Sequence, residues 1–140
     1  MALKASEIQV GQTFEQVLVD DLTRTRIVQY AGASGDYNPL HTDEIFATKV
    51  AGYPTVFAHG MLTMGMTARL VTDTVGDGRL EKYGVRFKAQ VWPGDTLRAT
   101  ATVDAIREEG GGHLVDLSIS TVNQDGVEVL SGTATARIDG

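Results

Sequence analysis

The residues most able to do chemistry lie close together in the stretch SGDYNPLH, which carries Asp36, Asn38 and His41 within six positions. A carboxylate and an imidazole that face the same water molecule can orient it, accept one of its protons and deliver another. The amide of Asn38 can hold such a pair in place without titrating. The stretch therefore predicts a general acid/base site formed by Asp36 and His41, with Asn38 in support.

The same stretch is predicted to be a loop. Pro39 disfavours helical geometry at Asn38 and has no backbone N–H to donate. Asp36 and His41 are therefore not expected on one continuous helix, and a loop can turn both side chains towards one point. An interpretation without chemistry stays open at this stage, because Asp and Asn commonly cap turns and a histidine is often a surface or hydrogen-bonded core residue.

A metal site is a weaker alternative for this region, with Asp36, His41, Asp43 and His59 as its ligands. The sequence has no helical His-x-x-x-His pair or comparable ligand spacing, and it has no cysteine to serve as a thiolate ligand. No metal and no separate cofactor are therefore predicted.

A second candidate feature is Gly60 in FAHGML, where a long helix is predicted to begin. A helix N-terminus presents unpaired N–H groups and partial positive charge, and a glycine lets a ligand oxygen approach the backbone closely. The Gly60 amide is thus predicted to bind a carbonyl oxygen whose negative charge grows during a reaction. A tight turn into the helix is the simpler alternative for Gly60, and a structural hydrogen bond is the preferred interpretation of His59.

Two main helices are predicted to position these groups. The first, LTRTRIVQYAGASG, has Thr23 at its N-cap and Gly32 and Gly35 to end it. The second begins in FAHGML and is apolar on nearly every face between Met61 and Val71, as is typical of a fully buried helix. A shorter helical segment is predicted between the two, at DEIFATKV.

The other periodic segments alternate apolar and polar residues, which indicates strands with one buried face. One strand precedes the helices, at TFEQVLVD, and four follow them, at YGVRFKAQV, LRATATVDAI, LVDLSISTV and VLSGTATARI. Turns at WPGDT, EEGGGH and NQDG join the last four, so these strands are expected to be antiparallel. The prediction is an α+β fold in which a curved antiparallel sheet wraps around a long buried central helix.

Length and composition limit the possible functions. The 140 residues predict a single domain, and a content of 42% hydrophobic and 21% charged residues is that of an ordinary globular protein. The formal net charge of −6 disfavours nucleic-acid binding, and the absence of cysteine excludes disulfides and cysteine catalysis. The opening MALKASEIQVGQTF lacks the apolar run of a signal peptide, and no segment is apolar for long enough to span a membrane. A cytoplasmic protein is therefore expected.

The paired motifs YAGASGDYNPLH and FAHGMLTMG resemble those of MaoC-type (R)-specific enoyl hydratases and (3R)-hydroxyacyl-thioester dehydratases. The resemblance extends over essentially the whole chain, and the opening half is especially similar to catalytic subunits of actinobacterial (3R)-hydroxyacyl dehydratases. It implies a single hot-dog domain, in which a curved antiparallel sheet wraps a long central helix. It also implies a homodimer, or a heterodimer with a related hot-dog subunit. The implied substrate is an acyl chain on the phosphopantetheine arm of coenzyme A or acyl carrier protein.

Carried over to this sequence, the family's aspartate and histidine correspond to Asp36 and His41, its supporting asparagine to Asn38 and its oxyanion donor to the Gly60 amide. The resemblance implies hydration of trans-2-enoyl thioesters, or dehydration of (3R)-hydroxyacyl thioesters, in fatty-acid metabolism. Two other functions stay open, namely hydrolysis of the thioester and a non-catalytic acyl-binding subunit of a heterodimeric dehydratase. A thioesterase would aim its water at the carbonyl carbon, whereas the complete set of four residues counts against a non-catalytic subunit.

Overall fold

The computed structural model describes residues 3–140, which form one five-stranded sheet with a long helix packed against it. The strands are β1 (Thr13–Val19), β2 (Leu80–Phe87), β3 (Leu97–Glu109), β4 (Gly112–Val122) and β5 (Glu128–Ile138). The helices are α1 (Arg24–Ser34) and α2 (Gly60–Val75), with a 3₁₀ turn at Ala5–Glu7 and a π-helical segment at Phe46–Val50. All strand pairs are antiparallel, which confirms the predicted α+β class.

The sheet supports α2, which begins at the candidate site. The strand order is β1-β3-β4-β5-β2, so that β1 and β2 form the edges of the described sheet. Helix α2 contacts β1, β2, β3 and β5. Alternation correctly predicts seven buried residues of the two long neighbouring strands, namely Leu97, Ala99, Ala101 and Val103 in β3 and Val115, Leu117 and Ile119 in β4.

Helix α1 begins as predicted but ends later than its first glycine. The Thr23 side chain accepts a hydrogen bond from the Arg26 amide at 3.1 Å, so the predicted N-cap is confirmed. Gly32 lies inside the helix, and the prediction that it contributes to the stop is wrong. Gly35 ends the helix, because its φ of 76° is left-handed and its N–H donates to the Ala31 carbonyl.

Helix α2 is the predicted central helix, and in the single chain it is buried on the side that faces the sheet. Its buried side chains face the sheet and are Leu62, Thr63, Met66, Thr67, Leu70, Val71 and Val75. Met61 is 56% exposed, and Gly65 and Arg69 are exposed as well. One sheet covers only one side of a helix, so the apolar residues on the other side remain on the surface of the single chain. Within residues 3–140, none of the helices combines the length and apolar character needed to cross a bilayer.

Strand β2 ends earlier than its alternating pattern predicts. The pattern continues to Val91, but the strand stops at Phe87. Beyond it, the amides of Lys88 and Ala89 both point to the Val129 carbonyl, and the Val91 carbonyl accepts from the Ala58 amide at 2.8 Å. The segment 88–91 therefore leaves the sheet and lies beside the chain that leads into α2.

Candidate active site

The loop that carries Asp36, Asn38 and His41 is a series of tight turns, as predicted. The Asp36 carboxylate accepts a hydrogen bond from the backbone N–H of Asn38 at 3.3 Å, and the Asn38 side-chain oxygen accepts one from the backbone N–H of Leu40 at 3.0 Å. The Asn38 backbone carbonyl accepts from the His41 amide, also at 3.0 Å. The turn-capping interpretation of the acid and the amide is therefore correct, and Asn38 acts on the loop backbone.

His41 is held in one orientation by a backbone carbonyl. Its Nδ1 lies 2.7 Å from the Phe57 carbonyl oxygen, and the half-buried ring meets the Phe57 ring edge-on at 5.2 Å. A carbonyl can only accept a hydrogen bond, so Nδ1 carries a proton. In the neutral form of the ring, Nε2 then has the lone pair and is the basic nitrogen.

His59 connects the loop with the start of α2. The side chain is 2% exposed, and its Nε2 donates to the Asp36 carbonyl oxygen at 3.0 Å. Its ring stacks on His41 at a centroid distance of 3.8 Å, and Tyr30 packs edge-on against it at 4.8 Å. Burial lowers the pKa of His59 below its ordinary value, despite the opposing hydrogen bond to Asp36. The preferred interpretation of His59, a structural hydrogen bond, agrees with these contacts.

Asp36, His41 and His59 form one cluster. One potential ligand atom from each of them lies within 4.8 Å of the other two. Asp43 is not part of the cluster, because its carboxylate caps the π-helical segment by accepting from the Phe46 amide at 3.1 Å. The proposed membership of Asp43 in a metal site is therefore wrong. The three remaining groups have the chemistry of an acid/base cluster and also of metal ligands, although one nitrogen of each ring already donates to a backbone carbonyl.

A second set of hydrogen bonds near the site is centred on the Glu44 carboxylate. The Glu44 carboxylate accepts from the Thr55 hydroxyl at 2.9 Å and from the Arg24 guanidinium, which also donates to Thr55. These hydrogen bonds lower the pKa of Glu44, and the one from Thr55 has the largest effect. The network joins the start of α1 to the segments that flank the π-helical segment.

Gly60 is the first residue of α2, as predicted. His59 is the N-cap and provides no side-chain cap, so it leaves the first N–H groups of the helix free of a side-chain partner. A Cβ atom at Gly60 would lie 3.1–3.2 Å from the ring of Phe87. Glycine at this position thus allows Phe87 to pack against the helix start.

A cavity of about 320 Å³ opens at this helix start. Its lining residues are Phe57, Ala58, Gly60, Thr63, Phe87, Lys88, Ala89, Gln90, Val91 and Val129. Asp36 and His41 are not among them, so a single chain brings the loop cluster next to the cavity without placing it in the wall. The segment 57–60 joins the two, because its first carbonyl binds His41 and its last residue lines the cavity.

Three contributors were missed by reasoning from the sequence. The Phe57 carbonyl that orients His41 is a backbone group and leaves no sequence signal. Tyr30 follows Ile27 by three positions, and this helical spacing on the buried side of α1 could have identified it. Thr63 is a small polar residue within the apolar run between Met61 and Val71, and it lines the cavity three residues after Gly60.

Comparison with known proteins identifies the family. The family described as MaoC like domain matches residues 5–123. The enoyl-CoA hydratase ChsH3 of Mycobacterium tuberculosis is 36% identical over 101 residues, which cover 70% of this chain and 32% of that protein. A mitochondrial 3-hydroxyacyl-[acyl-carrier-protein] dehydratase of Arabidopsis thaliana is 29% identical over 130 residues, or 92% of this chain and 76% of that protein.

Solved structures agree in fold. The (R)-hydratase from A. caviae involved in PHA biosynthesis superimposes with a TM-score of 0.83 at 27% identity, covering 96% of this chain and 99% of that one. The chain spans only about a third or less of the length of the first curated relatives, namely 32% of ChsH3 and 23% of the 3-hydroxyacyl-thioester dehydratase Y of M. tuberculosis. The family match covers well over half of the chain, and the sheet and central helix are those of the hot-dog fold. The chain therefore belongs to the MaoC-like domain family.

Proposed function

We propose that the protein hydrates trans-2-enoyl thioesters with (R) specificity and, in reverse, dehydrates (3R)-hydroxyacyl thioesters in fatty-acid metabolism. The observation that carries the proposal is the approach of the Asp36 carboxylate to a His41 ring whose free nitrogen is basic. The similarity to proteins named enoyl-CoA hydratase, 3-hydroxyacyl dehydratase and (R)-hydratase supports this reaction and its stereochemistry.

In the proposed mechanism, the thioester carbonyl accepts a hydrogen bond from the Gly60 amide at the start of α2. Asp36 and His41 hold a water molecule over the β carbon. The oxygen of this water bonds to the β carbon while the pair accepts one of its protons, and the electrons of the double bond move towards the carbonyl. The pair then delivers a proton to the α carbon, so that it returns to its starting protonation state. The growing charge on the carbonyl oxygen is stabilised by the amide and the partial positive charge of the helix end.

No separate cofactor is proposed, because hydration moves one water molecule across a double bond and requires no electron carrier. The acyl chain arrives on coenzyme A or acyl carrier protein, whose phosphopantetheine arm is part of the substrate. The expectation that no metal takes part is tested by dialysis of the enzyme against a chelator, after which the hydration rate should be unchanged.

We further propose that the active form is an oligomer, in which a second hot-dog subunit covers the site. Three apolar side chains next to site residues are exposed in the single chain, namely Tyr37 at 68%, Met61 at 56% and Phe87 at 53%. Strand β2, which carries Phe87, is an edge of the described sheet and offers unpaired backbone groups. A homodimer is the first expectation and a heterodimer with a related subunit the second. The mass of the purified chain in solution, measured together with its activity, distinguishes them.

The experiment that tests the function follows crotonyl-CoA by the loss of its enoyl absorbance. Asp36→Asn and His41→Gln should each lower turnover by about 10²–10⁴-fold while the protein remains folded. Asp43→Asn is the matched control, because this acid lies in the same region but outside the cluster, and its turnover should stay near that of the wild type. Near-full activity of either cluster variant would refute the assignment.

The same assay separates the alternative functions. A thioesterase would release free thiol from crotonyl-CoA without first consuming the double bond, and this outcome would replace hydration by hydrolysis. A non-catalytic acyl-binding subunit would bind the thioester and leave both signals unchanged. Loss of enoyl absorbance by the purified chain alone, without thiol release, would exclude both alternatives.

A further inference from the structure

The Thr63 hydroxyl is buried without a hydrogen bond. The residue is 2% exposed, and its Oγ1 has no partner within residues 3–140. Thr67, one turn further along α2 and completely buried, shows the usual arrangement, because its hydroxyl lies 2.8 Å from that of Thr121. A buried hydroxyl without a partner is unfavourable, and a valine of nearly the same shape would avoid this cost. Thr63 is therefore unusual for a residue whose only role is packing.

The helix offers Thr63 a local partner that it does not use. Threonine inside a helix commonly donates to the carbonyl four residues earlier, as Thr74 donates to the Leu70 carbonyl at 2.7 Å. For Thr63 that carbonyl belongs to His59, and it accepts instead from the Leu62 and Thr63 amides at 3.1 and 3.4 Å. The hydroxyl remains available to another group.

That group would lie in the cavity at the start of α2. Thr63 and Gly60 both line this cavity of about 320 Å³, and residues three positions apart share one face of a helix. Helical side chains lean towards the N-terminus of their helix, so the Thr63 side chain leans over the turn that begins with Gly60. Most of the other lining side chains are apolar, which leaves few competing partners on the buried side.

We propose that Thr63 is a second hydrogen-bond donor to the thioester carbonyl oxygen, beside the Gly60 amide. This inference rests on the proposed function and names a residue that the motifs do not identify. A carbonyl oxygen has two lone pairs and can accept from both donors. Because negative charge grows on this oxygen during hydration, the second hydrogen bond strengthens in the transition state and acts mainly on kcat.

The test compares four variants with the wild type in the crotonyl-CoA assay and in thermal unfolding. Thr63→Val removes the hydroxyl and keeps the shape, Thr63→Ala removes it without the branched side chain, and Thr63→Ser keeps it. Thr67→Val is the matched control, since it removes a buried hydroxyl of the same helix that already has a partner. KM and kcat are measured separately for each protein.

We expect Thr63→Val to lower kcat by about 10²- to 10³-fold with KM changed by less than about threefold, because one oxyanion donor is lost and another remains. Its melting temperature should equal or exceed that of the wild type, since an unpaired buried hydroxyl has been removed. Thr63→Ser should retain kcat within about threefold, and Thr67→Val should retain kcat but melt at a lower temperature. Thr63→Ala should repeat the loss of kcat, whether or not the valine variant folds.

Several results would overturn the inference. A hydroxyl-free variant with wild-type kcat, an effect confined to KM, or a serine variant as slow as the valine variant would each do so. A wild-type protein that does not hydrate enoyl thioesters would overturn the proposed function as well. An active wild type together with fully active Thr63→Val and Thr63→Ala would overturn the role of Thr63 alone.

Discussion

A methyl group at Gly60 tests whether the start of α2 binds the thioester carbonyl. A Cβ atom there would lie 3.1 Å from Phe87 Cζ and 3.2 Å from both Cε atoms. The Phe87 side chain is 53% exposed, so its ring can shift by the few tenths of an ångström required. Against this small cost, alanine is a better helix former than glycine by about 1 kcal/mol at most. The free energy of unfolding of Gly60→Ala is therefore expected within about 1 kcal/mol of the wild-type value.

The activity of the same variant should fall far more than its stability. Gly60 and Phe87 both line the cavity, so a methyl group directed at the Phe87 ring occupies space beside the amide that the carbonyl needs. Loss of one oxyanion donor lowers catalysis by about 10²–10³-fold, which corresponds to about 3–4 kcal/mol of transition-state stabilisation. We expect kcat/KM for crotonyl-CoA to fall within this range, measured by the loss of enoyl absorbance, while urea denaturation reports a nearly unchanged stability.

Two further variants test what causes the loss of activity in Gly60→Ala. Gly32→Ala is the matched control, because Gly32 lies inside α1 with nothing within 4 Å of an added Cβ, and it should gain stability without losing activity. The double variant Gly60→Ala/Phe87→Leu removes the ring contact and keeps the methyl group. Full recovery of kcat/KM in the double variant would show that displacement of the Phe87 ring, and not the methyl group itself, lowers the activity. Wild-type kcat/KM in Gly60→Ala itself would refute the claim that the carbonyl approaches the Gly60 amide through the space that the methyl group occupies.

Two other predictions concern stability as a function of pH. Burial lowers the pKa of His59, so the unfolded chain takes up a proton there that the folded chain does not. Wild-type stability should therefore decline as pH falls below about 6.5. In urea denaturation at pH 5–7, His59→Gln should show a smaller decline. Burial raises the pKa of Tyr83 to about 12, and its hydroxyl donates to the Met64 carbonyl at 2.8 Å. Stability from this group should be complete below pH 10 and lost as pH rises through about 12, whereas Tyr83→Phe should lack this loss and be less stable by about 1 kcal/mol at pH 7.

The parts of the fold that follow from local chemistry were predictable from the sequence. The Thr23 cap, the left-handed Gly35 and the alternation of β3 each depend on neighbours within a few positions. The extent of burial around α2 depends instead on how many elements cover it, and the apolar run near Met61 contains no information about that number. The end of β2 was missed for a similar reason, because the position of Val129 on another strand determines where the ladder stops.

The candidate site was only partly predictable for the same physical reason. The loop around Asp36 and His41 could be proposed because its turn-forming residues and its reactive residues are the same. The orientation of the His41 ring could not be predicted, since a carbonyl 16 positions away selects its tautomer. The choice of the His41 ring nitrogen that stays free of the Phe57 carbonyl, on which the proposed base depends, is therefore a property of the fold rather than of the motif.

One side chain couples the two halves of the proposed machinery. His59 precedes the Gly60 amide, stacks on His41 and donates to the carbonyl of Asp36, 23 positions earlier. A displacement of the helix start would therefore move the acid/base pair with it. In a substrate bound in one conformation, the distance between the β carbon and the carbonyl oxygen is fixed. A site that acts on both atoms at once requires such a rigid link. The buried, neutral imidazole of His59 provides this link without a charge of its own that would compete for the reacting water.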